Sequence, residues 1–146
     1  MRPTAPNQRE PAQYGNAVAA TLVEAACAVS AGAHAGLVPE HLREAPQVGV
    51  AFVVAAGLLL ATSTALAIHP SSRWAARGAA LLLAGLIASY AASRTTGIPV
   101  LEPHAEPLDA VGATTKVVEA LGLVFALRLS RPVGDRRSPL TQEVAR

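Results

Sequence analysis

Between Glu44 and His69 no residue carries a charge. At about 1.5 Å per helical residue, 47–68 is long enough to cross a hydrocarbon core of about 30 Å. No water reaches backbone N–H and C=O groups at that depth, so an isolated apolar stretch satisfies them as a helix. The segment also lacks the polar stripe that a surface helix of a soluble bundle requires. Three further apolar stretches accompany it, and spans are predicted at about 16–38, 47–68, 76–93 and 110–129, within a transmembrane domain covering 15–130. Four such helices in 146 residues leave no soluble exterior. The expected fold is therefore all-α, a four-helix transmembrane bundle. Composition agrees: 51% of residues are hydrophobic, 15% are charged and the mean hydropathy is +0.36, ordinary for a small multi-spanning protein.

Residues 1–14 hold three prolines and no apolar periodicity, which predicts a disordered tail. Residues 131–146 form a basic, polar tail. Arg2 and Arg9 ahead of the first stretch resemble the n-region of a signal peptide, with small residues at Ala31-Gly32-Ala33. Glu24 interrupts the apolar run such a peptide needs, so a retained span is expected. One cysteine, Cys27, allows neither an internal disulfide nor a cysteine zinc cage.

Charge sets an expected orientation. Arg2, Arg9, Arg73, Arg77, Arg128, Arg131, Arg136, Arg137 and Arg146 fall on one side of the predicted spans, against Arg43 and Arg94 on the other. The positive-inside rule then places the N- and C-termini in the cytoplasm. The same asymmetry explains the basic isoelectric point as a topology signal, so no nucleic-acid partner is expected. Tyr14 and Trp74 take interfacial positions.

The only lysine, Lys116, lies three residues before Glu119 inside the fourth stretch, and Glu24 lies inside the first. Ionisable groups at bilayer depth are costly and face a bundle interior. Counting along the helices puts Glu24 roughly 12–14 Å from one face and Glu119 about 15 Å from the other. Helix one is thus expected against helix four, with Lys116 between Glu24 and Glu119 in a buried ion network. Such a network either fixes helix register or handles protons or ions.

A second constellation lies towards the outer face. Glu24, Cys27, Ala31 and His34 follow 3–4–3 spacing, and His34 sits inside Gly32-x-x-x-Gly36, which invites close helix approach. If Pro39 opens a short interfacial helix, His41 and Glu44 share its face. His34, His41, Glu44, Glu40 and His104 offer ligands suited to zinc, copper or iron. The alternative is a set of interfacial polar residues that cap helix ends. A haem held through His34 is a further alternative, against which stands the lack of a histidine pair at matching depth. Arg94, in Ser93-Arg-Thr-Thr-Gly-Ile-Pro99, either clamps an anion or pairs with Glu40, Glu44 or Asp109. No phosphate-binding loop, dinucleotide fingerprint, zinc-protease motif or serine elbow is present.

The order His34…Pro39-Glu40-His41…Glu44, then SRTTGIP, then a fourth span with Lys116 and Glu119, resembles uncharacterised four-span small integral membrane proteins of actinobacteria. The resemblance covers about 15–130 and implies a multi-pass protein of the bacterial plasma membrane. It implies no activity. The expected function is an accessory membrane protein, more than an enzyme, with an outward-facing His/Glu cluster for a metal or small ligand above the Glu-Lys-Glu network. The competing readings are a structural or assembly subunit without ligand and a proton- or ion-handling transport component. Expected partners are the lipid bilayer and a membrane protein partner or second copy of the chain.

Overall fold

The computed structural model describes residues 9–98, 107 and 109–131, with side chains from 13 onward. Four helices make up nearly all of it: α1 (Arg9–Glu44), α2 (Pro46–Ile68), α3 (Arg73–Thr95) and α4 (Ala110–Ser130). Each is long and apolar enough to cross a membrane, so the all-α four-helix bundle expected from the sequence is the fold.

Local sequence explains where the helices start and stop. Only Ala45 separates α1 from α2, and Pro46 opens α2 at the position where a missing N–H costs nothing. The hydroxyl of Ser72 caps α3 by accepting from the Ala75 N–H. Asp109 caps α4 in the same way through the Gly112 N–H. Arg94 donates to the Asp109 carboxylate at 2.6 Å and to the Pro107 carbonyl, tying the end of α3 to the start of α4.

The single residue between α1 and α2 and the four-residue turn between α2 and α3 reverse the chain, and the Arg94–Asp109 contact brings the end of α3 to the start of α4. α1 lies along α2 on one side and α4 on the other, α3 closes against α4, and α2 and α3 touch little. The core is small: Val23, Cys27, Leu59, Leu66, Ala79, Leu83 and Ala126 are buried. Small residues substitute for bulk by letting backbones approach. A Cβ on Gly122 would meet the Ala26 Cβ at 2.7 Å, so α4 sits against α1 at a distance only glycine allows. Meanwhile Val53, Val54, Leu58, Leu60, Leu81, Val117 and Leu121 point outward, as a lipid-facing surface requires.

Two features of α1 differ from expectation. The helix is already formed at Arg9, inside the segment predicted to be a disordered tail, and it continues through Pro39 to Glu44. No separate interfacial helix begins at Pro39. A proline inside a helix removes one i→i−4 bond and normally kinks or ends it. Here the following turn is held by contacts within α1 and with α2. His41 Nδ1 meets the Leu37 carbonyl at 2.9 Å, the His41 ring stands edge-on to Phe52 of α2, and Leu42 lies against Gly49. The second difference concerns Gly32 and Gly36. They face open space, away from the side where His34 is buried. Two residues along a helix are about 200° apart, so the glycines that bracket His34 in sequence sit on the opposite side.

Candidate buried ion centre

α4 turns Thr115, Glu119, Gly122 and Ala126 inward at 4–3–4 spacing. Glu119 is fully buried, and both of its carboxylate oxygens are occupied. Oε1 accepts from the Ser30 hydroxyl at 2.6 Å, and Oε2 accepts from Lys116 Nζ at 2.6 Å. Charge-assisted bonds of this length are the strong kind. Without them an ionised carboxylate at this depth would be prohibitively costly.

Ser30 is itself fully buried and connects the carboxylate to His34, one turn further along α1. His34 Nδ1 lies 2.8 Å from the Ser30 carbonyl and 3.4 Å from its hydroxyl. The shorter contact assigns the ring proton to Nδ1, which donates to the carbonyl. The His34 ring also rests against Phe52, centroid to centroid 5.4 Å. A continuous polar chain thus runs His34, Ser30, Glu119, Lys116 through the α1–α4 contact.

On the far side of Lys116 the chain reaches an aromatic step. Lys116 Nζ is 5.6 Å from the centre of the Tyr90 ring, and the Arg94 guanidinium is 4.7 Å from the same ring. These are cation–π distances. The Tyr90 hydroxyl is buried with no hydrogen-bond partner among the described residues. Beyond it, Arg94 meets Asp109. Polar and charged groups therefore follow one another from Glu119 to the α3–α4 end, a rise of about 15 Å along α4.

Lys116 and Glu119 meet as the sequence predicts, whereas Glu24 does not join them. Its side chain is half-buried, and it meets α2 through its backbone carbonyl, which accepts from Ser63 Oγ at 3.2 Å. The Ser30–Glu119 contact sets the register. Glu24 lies about 9 Å along the axis from that level, and Lys116 is displaced the other way. Depth counted from a start at residue 16 misplaces Glu24, because α1 does not start there. Ser30 is the group that counting misses. Its signal is present: Cys27, Ser30 and His34 share one face at 3–4 spacing, and all three are buried.

The described members of the outer cluster do not come together. His34 and His41 share the Phe52 side of α1, but Glu40 and Glu44 are exposed, and His104 lies outside the described residues. Among the described residues no group of three His, Cys, Asp or Glu is placed to hold a metal. Arg94 takes Asp109, one of its three expected partners.

Four apolar helices around a buried carboxylate–ammonium pair define a small multi-pass membrane protein. Comparison with protein-family models, with curated proteins and with solved structures finds no match to this chain.

Proposed function

We propose that this is a proton-handling component of a bacterial plasma membrane, with both termini in the cytoplasm and Glu119 as the exchanging group. One observation carries the reading: a fully buried carboxylate held between a neutral hydroxyl and an ammonium, with a histidine next in line. Structural ion pairs also occur in bundles, but a bare lock has no need of a chain of protonatable side chains.

The chemistry is simple. In the resting pair, Lys116 is an ammonium and Glu119 a carboxylate, and their charges cancel. A proton arriving on Glu119 leaves a neutral acid and a net positive charge on Lys116. The lysine side chain is 15% exposed, so it is the group of the pair that reaches the surroundings. Ser30 links the carboxylate to the imidazole of His34. The orientation rests on the arginines: Arg73, Arg77, Arg128 and Arg131 lie at the end where α1 and α3 begin, against Arg43 and Arg94 at the other. The bacterial setting rests on the sequence resemblance.

A second reading is favoured by a specific contact. Ser30–Glu119 bridges two helices beside the Gly122–Ala26 approach, so the same group also locks α1 to α4. Purified protein in liposomes with an imposed pH gradient separates the two. Dissipation by wild type that is lost in Glu119→Gln, with the variant still folded, supports proton handling. Equal leak from wild type, Glu119→Gln and empty vesicles leaves the lock alone.

A further inference from the structure

At the end of the bundle opposite Arg94, the first turns of α1, the α2–α3 turn and the last turn of α4 surround a recess of about 520 Å³. Arg73, Arg128 and Arg131 line it, together with Gln13, Asn16 and Ser71, and the Arg128 guanidinium lies 5.5 Å over the Phe125 ring. Among the described residues no carboxylate is in the lining, and the ion pairs formed are Arg94–Asp109 and Lys116–Glu119, neither of them here. All three arginines are exposed, so they present positive charge to whatever enters the hollow. The N-terminal end of α3 and the C-terminal end of α4 meet at the same place, so the helix dipoles oppose one another there and the arginines supply the positive charge.

We infer that this recess binds a phosphate ester, and that its position makes an anionic lipid headgroup the source. Guanidinium forks match phosphate oxygens in pairs, and the amide and hydroxyl donors suit the ester and glycerol oxygens. The volume falls within the range of small-molecule sites, about 300–1,000 Å³. Its depth is marked by Trp74, which is 79% exposed beside Arg73 and carries the Arg77 guanidinium 5.1 Å over its ring. An exposed tryptophan paired with arginine at a helix end belongs at headgroup level. The site shares no residue with the Glu119 centre, so it stands or falls separately.

The test uses the full chain, delipidated in detergent, and native mass spectrometry with added lipid. Phosphatidylglycerol is expected to be retained about tenfold over phosphatidylcholine, a difference of about 1.4 kcal/mol. The preference is expected to vanish in the Arg73→Gln/Arg128→Gln double variant. It is expected to persist in Arg77→Gln, which removes a neighbouring charge that does not line the recess. Soluble glycerol phosphate is the second arm. Displacement of lipid by millimolar glycerol phosphate supports the phosphate site but assigns it to a soluble ester. Its failure to displace supports the lipid. Equal retention of the two lipids by wild type overturns the inference, whatever the variants do. So does a preference that Arg77→Gln abolishes as fully as the double variant.

Discussion

The Ser30 hydroxyl and the Glu119 carboxylate meet across 2.6 Å at the contact between α1 and α4, both fully buried. That bond sets the axial register of the two helices and turns an otherwise local Lys116–Glu119 pair into a cross-helix centre. Ser30→Ala leaves Glu119 with Lys116 alone. A hydrogen bond to a charged group contributes about 1.5–3 kcal/mol, so thermal unfolding in detergent should show Ser30→Ala destabilised by about that amount. Ser30→Thr, which keeps the hydroxyl, should lose less.

Removing the cation is more severe. Lys116→Met strands a buried carboxylate, and breaking such a pair from one side typically costs about 3–5 kcal/mol. The variant should accumulate poorly, measured by fluorescence-detected size exclusion of a tagged protein. Lys116→Met/Glu119→Gln carries no stranded charge and should recover most of the yield. If the double variant is as poor as the single one, charge is not what holds the centre.

Gly122 gives a packing prediction independent of charge. Gly122→Ala drives a methyl to within 2.7 Å of the Ala26 Cβ. Overpacking of this kind costs about 1–3 kcal/mol. Pairing it with Ala26→Gly should restore much of the loss, and a double-mutant cycle on melting temperatures reads the coupling.

These predictions concern residues whose roles were unevenly legible in the sequence. The absence of charge from 45 to 68 made α2 plain, and the i, i+3 spacing of Lys116 and Glu119 placed both on one side of α4. Spacing within a helix fixes angle, because 3.6 residues make a turn. It does not fix how far one helix slides along another. Depth and the ionisable residues of helices one and four point to Glu24 beside Lys116, whereas Ser30, on the same face as Cys27 and His34, holds the position. The described members of the outer His/Glu set are likewise placed by packing that spacing does not show. Continuous α1 turns His34 and His41 towards Phe52 of α2 and leaves Glu40 and Glu44 exposed, so imidazoles and carboxylates are not brought together.

Orientation has its own check. Cys27 is buried and should stay silent towards a membrane-impermeant maleimide. In whole cells Thr96→Cys, beyond α3, should be labelled from outside. His69→Cys, after α2, should react only once the membrane is opened. The reverse pattern would invert the proposed topology.

The most direct test of the Glu119 centre is infrared difference spectroscopy of the purified protein across a pH titration. Proton handling predicts a carbonyl band from a protonated carboxylic acid in an apolar setting. The band should grow as pH falls and be missing from folded Glu119→Gln. A wild-type spectrum without a pH-dependent acid band, or one that Glu119→Gln reproduces, would contradict the account and leave Glu119 as a fixed lock between two helices.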